Sequence, residues 1–320
     1  MSFGARLSEK LEELQGDHSF QVYNENDTTQ FVCGLEADEY TYEKESIVYI
    51  AKVDTTANAP VGLAKRLVQA YLAWKAPCTV HVFGRAQPQY LFPASASPKK
   101  RTLTDRQLIQ WWHSVLATVS SAPAHWSIPG IDDRTEACLA VGLDRNNAAL
   151  SYGYPFPPDA KAADVIPRFS DDAKARVLKE LEDDMTVKDF WDILGFSEEC
   201  GAGKLSAFFF VSVSKNEPKE KGIKNDDDDN NIEDEGKVLQ EDAFVTFWNQ
   251  LMHDKISFED TAHATKSTAR LLKTWKDLNL TPFAFTTFGK KSTKPTQPDL
   301  KRKAPNDLTA NVLSVRRKKT

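Results

Sequence analysis

Four groups of residues in this 320-residue chain have types and spacings that could do chemistry. The first is Asp54 at the end of an apolar run, with Lys65 and Arg66 in the early turns of the helical pattern that begins near Val61. Free backbone N–H groups at a helix start attract phosphates, and two cations would add to the pull. An ordinary solvated helix start reads the same way. The second runs from Phe83 to Trp112, where Arg85, Tyr90, Lys99, Lys100 and Arg101 accompany Phe92, Trp111 and Trp112. A ligand combining an apolar arm, a planar base and phosphates needs this mixture, although one of two adjacent helical tryptophans must point away from the other. The third is Asp171-Asp172 with Lys174 and Arg176. A carboxylate there could take a proton from an ammonium group, and acids at a helix start are also common for the dipole alone. The fourth is an acidic stretch, Asp226 to Asp229 with Glu233 to Glu235, set against basic clusters at 301–303 and 316–319. These clusters suit a bipartite nuclear import signal or a phosphate-binding tail.

Other chemistries lack their residues. The four cysteines, Cys33, Cys78, Cys138 and Cys200, form no CxxC pair and are expected as reduced, mostly buried thiols. The six histidines form no ligand series, so no metal site is expected. There is no serine nucleophile elbow and no glycine-rich phosphate loop, which argues against a nucleotide hydrolase. Net charge is only -5, with 41% hydrophobic and 27% charged residues, so the whole-protein field favours neither nucleic acid nor an anionic membrane. No apolar run approaches the roughly 20 residues a bilayer crossing needs.

The elements that must position these groups follow from periodicity. Leu7, Leu11 and Leu14 space a short amphipathic helix. SIVYIAKVD from Ser46 to Asp54 reads as a buried strand, TTANAP as a turn, and Val61 to Trp74 as a helix. CTVHVFG gives a second strand and the stretch from Arg85 to Arg101 an irregular loop. Thr104 with Gln107 forms a capping box for the helix carrying the two tryptophans. Residues 123–167 read as loops with little regular structure. DDAKARVLKELEDD is a helix, Leu205 to Ser214 a central strand, and Glu241 to His253 and Asp260 to Leu278 two more helices. Alternating strands and helices predict an α/β fold with one domain. Its parts are an N-terminal helix and strand region (1–45), a main domain (46–288) with a disordered acidic loop (215–236), and a basic disordered tail (289–320).

The order of short motifs narrows the reading. AKVDTT at 51–56, QYLFP at 89–93, the KKR cluster, LIQWW ending at Trp112, IPG at 128–130, DDAKAR at 171–176, KLS at 204–206 and NDLTANVLSVRRKK near the C-terminus together resemble the fungal histone H3 lysine acetyltransferases named for regulation of Ty transposition. The resemblance implies a central mixed β-sheet surrounded by helices, similar to the CREB-binding-protein acetyltransferase domain. It implies acetyl-CoA as cosubstrate and no metal. It also implies core-domain and tail lysines of newly made histone H3 as targets, in nucleosome assembly and DNA damage tolerance. Histone H3 with its partner histone, an anti-silencing-function chaperone and a nucleosome-assembly-protein-type chaperone would be the partners, in the nucleus, with DNA met only indirectly or through the basic tail.

Carried over by position, Val53, Asp54 and Thr55 would border acetyl-CoA, and Gly62, Leu63, Ala64, Lys65 and Arg66 would hold its phosphates. Phe83, Arg85, Gln87, Arg101, Thr102, Leu103 and Trp111 complete the coenzyme contacts. Trp112 and Tyr90 would line the acetyl and lysine channel, Asp172 would accept the proton with Asp171 beside it, and Asp54 joins this catalytic set. Lys174 matches the lysine that family members acetylate on themselves. The stretch from Asp54 to Phe83 is shorter than the family's, and Arg101 stands where the family carries His. A noncatalytic histone- or nucleic-acid-binding adaptor with the same fold is the alternative reading. The enzyme reading requires that both tryptophans, the aspartate pair and the early strand terminus converge around one thioester.

Overall fold

The computed structural model describes residues 30–42, 45–146, 149–169, 172–180, 184–198, 200–201, 203–215 and 241–278. The expected helix at 7–14, residues 216–236 of the expected acidic loop and the tail at 289–320 lie outside them.

The sheet is built from β1 (Cys33–Tyr42), β2 (Glu45–Thr55), β3 (Cys78–Arg85), β4 (Ser121–Ser127), β5 (Ser151–Tyr152) and β6 (Ser206–Val213). Their order is β1-β2-β3-β6-β4-β5, with β2/β3 and β4/β5 parallel and the other pairs antiparallel. The mixed α/β sheet is therefore as the sequence predicts, and the apolar run at 205–214 is central because β3 and β4 flank β6. A parallel neighbour cannot be reached by a tight turn. Helix α1 (Leu63–Lys75) makes that crossover from β2 to β3.

Strand alternation sorts the core into two faces. One row of paired residues, Ile50, Val82, Phe209 and Trp126, faces α1, α2 (Asp105–Val119) and α3 (Arg134–Val141). The next row, Tyr49, His81, Phe210 and His125, faces the opposite side. That side is covered by α4 (Ala162–Val165), α5 (Ala173–Glu180) and α6 (Val187–Phe196), packed around Phe190, Trp191 and Phe208. A third cluster joins Leu91 and Phe92 to α7 (Glu241–Leu251) and α8 (Thr261–Asp277) through Ile256, Phe258 and Leu271.

The predicted capping box is present: the Gln107 N–H donates to Thr104 Oγ1, and the Thr104 N–H donates to Gln107 Oε1. All four cysteines are free thiols. Residues 123–167 correct the sequence expectation, since β4, α3, β5 and α4 all fall in or across this stretch. β4 carries Pro123 and shifts register against β6 between Ser121 and Ala124, so its own residues show no regular strand pattern. Helix α6, opened by the Thr186 cap, was not expected either. β1 lies before residue 46 and still pairs along its whole length with β2.

Candidate functional site

A cleft of about 500 Å³ opens where β2 and β3 end. Its floor and one wall come from Val53, Asp54 and Thr55 at the end of β2, the turn that follows, and the first turn of α1 with Gly62, Ala64 and Lys65. The loop from Ala86 to Leu103 forms the other wall, and Leu108 and Trp111 of α2 close the back.

Asp54 organises the loop. It is 5% exposed. Its Oδ2 accepts the backbone N–H groups of Tyr90 (2.8 Å), Leu91 (2.9 Å) and Phe92 (3.2 Å). Its Oδ1 accepts the Thr55 N–H (2.8 Å) and the Lys100 ammonium (2.7 Å). Lys100 is buried and also donates to Ser95 Oγ at 2.9 Å. From outside the loop, the Phe258 N–H donates to the Pro93 carbonyl (2.8 Å), and the Phe92 ring meets Phe258 edge-on. A loop without regular structure is thereby fixed from both sides. The Tyr90 hydroxyl donates to the Arg85 carbonyl. Burial, with the Asp54 carboxylate adding, pushes its phenol up to about 12, so it stays protonated at neutral pH.

The helix start fits an anion. Gly62 takes the left-handed conformation at φ 83°, the N-cap carries no side-chain hydrogen bond, and no acid occupies the first turn. N–H groups that a cap would satisfy are thus left to a ligand. Lys99 and Arg101 bring positive charge across the cleft, while Lys65 bridges to Ser114, with 3.2 Å to both its carbonyl and its hydroxyl. Val53, Ala86, Pro88, Leu103, Leu108 and Trp111 supply an apolar lining. A long ligand with an apolar arm and phosphates suits these residues.

Of the residues singled out in the sequence, Val53, Asp54, Thr55, Gly62, Ala64, Lys65, Gln87, Tyr90, Arg101, Thr102, Leu103 and Trp111 are gathered here. Others are not in the wall, for geometric reasons. Leu63 turns into the core, and Arg66 follows Lys65 by about 100° around α1. Phe83 falls on the far face of β3 by strand alternation and stacks on Phe208, centroids 4.7 Å apart. Arg85 ends that strand beside the cleft and contributes its carbonyl to Tyr90.

Two residues expected in the catalytic set lie outside the cleft lining. Trp112 is 5% exposed and packs in the first-face core, edge-on to Trp111 and against Gly84, so it lines no channel. Asp172 is 0% exposed. It accepts the Lys174 backbone N–H at 3.0 Å and pairs with the Lys174 ammonium, which also sits 4.5 Å from the Phe208 ring centre. The pair is buried against the second face, where burial lowers the Lys174 pKa and Asp172 opposes that shift. Asp172 is not among the residues that line the cleft. Asp171 lies outside the described residues. Trp111 and the β2 terminus thus share the lining of the cleft, while Trp112 and Asp172 are not part of it.

The sequence reading passed over Leu108 as a site residue, and placed Lys100 only within a basic group meant for a ligand. Leu108 lies three residues before Trp111 and so shares its helix face, a spacing that could have found it. Nothing in the KKR cluster distinguishes Lys100, which turns inward to Asp54, from its exposed neighbours. Among the described residues, no group of three or more His, Cys, Asp or Glu could hold a metal ion.

The Histone acetyltransferase KAT11-type domain matches residues 64–274. The chain is 30% identical over 286 residues to histone acetyltransferase rtt109 of Schizosaccharomyces pombe, covering 81% of this chain and 76% of that protein. To histone acetyltransferase rtt109 of Aspergillus flavus it is 27% identical over 252 residues, 57% of this chain and 45% of the relative. The crystal structure of Rtt109 from Aspergillus fumigatus shares the fold with a TM-score of 0.64 at 23% identity, covering 81% of this chain and 83% of that one.

Proposed function

The chain belongs to the KAT11-type histone acetyltransferases, and from that premise we propose that it moves acetyl from acetyl-CoA to lysines of newly made histone H3, in both the core domain and the tail. The observation that carries the cosubstrate assignment is the cleft, where an uncapped helix start and the cations Lys99 and Arg101 face an apolar back wall. Acetyl-CoA supplies an activated acetyl thioester there. Trp111 and Leu108 pack the apolar arm, and Tyr90 marks the end of the cleft nearest the buried Asp54. A lysine entering as the free amine forms the new C–N bond as the C–S bond breaks, and the coenzyme thiol leaves.

The amine proton passes to solvent in this scheme. Asp54 already accepts five donors and Asp172 is paired with Lys174. Lys174 is assigned as a site of autoacetylation. Neutralising it would relieve the cost of burying its charge and leave Asp172 to the backbone N–H alone. Histone H3 with its partner histone is the assigned protein substrate. Chaperones of the anti-silencing-function and nucleosome-assembly-protein types are the assigned partners, in the nucleus, in nucleosome assembly and DNA damage tolerance.

The test is direct. Purified protein is incubated with isotopically labelled acetyl-CoA and H3 with its partner histone, with and without each chaperone, and acetylated lysines are mapped by mass spectrometry. Label on H3 core and tail lysines, increased by a chaperone, is expected. Label confined to the other histone, or no label with any chaperone, overturns the assignment.

A further inference from the structure

Helix α6 ends on an aromatic ring in water. Phe196 is 89% exposed, and Ile193, three residues earlier on the same side of the helix, is 39% exposed. The inward side is packed in the ordinary way, with Val187, Phe190, Trp191 and Leu194 buried. The outward arc holds Asp189, Asp192, Ile193 and Phe196, with Lys188 at its margin about two turns before the ring. Lone apolar side chains on a surface need no explanation. An aromatic ring beside an aliphatic chain, rimmed by charge, is the build of a protein contact.

The charge around the ring is negative. Gly195 lies against Gly130, so closely that an added Cβ would come within 2.8 Å of the Gly130 nitrogen, and this contact holds the loop after β4 beside Phe196. The loop brings the exposed Asp132. Asp132 and Asp192 both lie near Tyr154, whose phenol pKa is raised by burial and then by these two carboxylates. Tyr154 in turn stacks on Trp191 of α6, centroids 5.3 Å apart. Glu198 follows the ring by two residues and is also exposed. Topology places the patch at the end of the sheet where the cleft opens. Phe208 of β6 pairs with Phe83 of β3 on one side and Ser127 of β4 on the other, both antiparallel, so β3 and β4 run the same way and finish level. Two strand spacings separate them, about 10 Å. The cleft lies past the end of β3, and Gly130 comes three residues after Ser127.

We propose that Phe196, with Ile193 beside it and Asp132 and Asp192 at its rim, is a docking surface for the folded body of the histone substrate while one histone lysine occupies the cleft. This rests on the transfer to histone proposed above. A histone is a basic protein, so its cations complement the rim and an apolar side chain covers the ring. A contact made outside the reacting centre is the same in the bound substrate and in the transition state, and therefore shows in KM and not in kcat.

The experiment compares wild type, Phe196→Ser and the double variant Asp132→Asn/Asp192→Asn. Fluorescence anisotropy gives the Kd for histone H3 with its partner histone, and steady-state kinetics are taken on that pair and on an H3 peptide with two residues either side of the lysine, which reach only about 7 Å. Phe196→Ser is expected to raise both Kd and KM for the histone pair about five- to tenfold, as loss of an aromatic anchor does, with kcat, the KM for acetyl-CoA and the peptide kinetics unchanged. The double variant should weaken histone binding at low salt and converge on wild type as salt rises. Phe196→Ser should unfold at the wild-type temperature, because the ring is in solvent.

Unchanged histone affinity in Phe196→Ser overturns the proposal, and so does an equal loss for the short peptide, which would place the effect in the cleft. A loss seen only when a chaperone is added assigns the patch to the chaperone, and a change in sedimentation from dimer to monomer assigns it to a second copy of the chain; either result overturns it. A lower unfolding temperature in Phe196→Ser overturns it by making the ring part of the fold. Wild-type protein that binds the histone pair but transfers no acetyl would end the transfer reading alone, since the binding arm still decides the docking surface. Wild-type protein that does not bind the pair overturns both.

Discussion

Asp54 stands at the cleft and is an acid, so its replacement separates two roles that a sequence cannot distinguish. Consider Asp54→Asn, which keeps the shape of the side chain. In the least costly orientation the amide oxygen takes the place of Oδ2 and keeps the N–H groups of Tyr90, Leu91 and Phe92. The amide NH2 then faces the Thr55 N–H and the Lys100 ammonium, two donors that it cannot accept. Breaking a buried ion pair by removing one partner costs about 3–5 kcal/mol, because the remaining charge is left buried. Lys100 keeps only Ser95 Oγ. The opposite orientation strands three N–H groups and is worse.

A loss of about 3–5 kcal/mol is a large share of the roughly 5–15 kcal/mol that stabilises a typical domain. Urea unfolding of wild type, Asp54→Asn, Lys100→Met and the double variant measures it. The double variant should recover part of the loss, since no unpaired charge remains, giving a clear coupling between the two sites. If Asp54 instead acted as a base on the substrate amine, Asp54→Asn would unfold within about 1 kcal/mol of wild type while turnover collapsed by the ~10²- to 10⁴-fold typical of general catalysis. That pairing of results would refute the positioning role drawn here.

The tryptophans should part company: Trp111→Ala should weaken coenzyme A binding with little loss of stability, while Trp112→Ala should cost about 3–5 kcal/mol in urea unfolding, as buried aromatic truncations do. Equal stability losses in the two variants would contradict their opposite orientations. Acid sensitivity should trace to His81, whose pKa burial and then the nearby Lys174 charge bring down to about 3. Because the unfolded imidazole takes a proton near 6.5 and the folded one does not, stability falls as pH drops from about 6.5 toward 3, by a few kcal/mol in all. His81→Leu should flatten that limb of the stability–pH curve, and an unchanged slope would show that other groups set it.

Much of the fold could be read in advance because burial writes a period into the chain. The run at 46–54 is apolar on both sides, as a strand between two layers must be, and the Thr104 to Gln107 spacing announces a helix start wherever it occurs. β4 had no such signature. Of its seven residues only Trp126 and Ser127 are buried, Pro123 interrupts it, and its register is fixed by β6 more than eighty residues later. β5 contributes two residues. Information that resides in a distant partner is absent from a local window.

The same distinction separates the parts of the site. Helical periodicity held an unused signal for the tryptophans: Trp112 lies three residues after Ile109 and four before Leu116, both fully buried, whereas Trp111 shares its face with Leu108. Acids carry no comparable signal. Asp54 closes a strand and Asp172 precedes a helix, yet each ends inside the protein against a lysine, Lys100 forty-six residues away and Lys174 two residues away. The two pairs do different things because of what else surrounds them. Asp54 sits among backbone N–H groups of the cleft loop and so converts its charge into the shape of a binding wall. Asp172 pairs with a lysine whose ammonium faces the Phe169 and Phe208 rings, so its charge serves a buried ion pair rather than a loop. A carboxylate becomes a loop scaffold or an ion-pair partner according to its donors, and those are set only when the sheet closes.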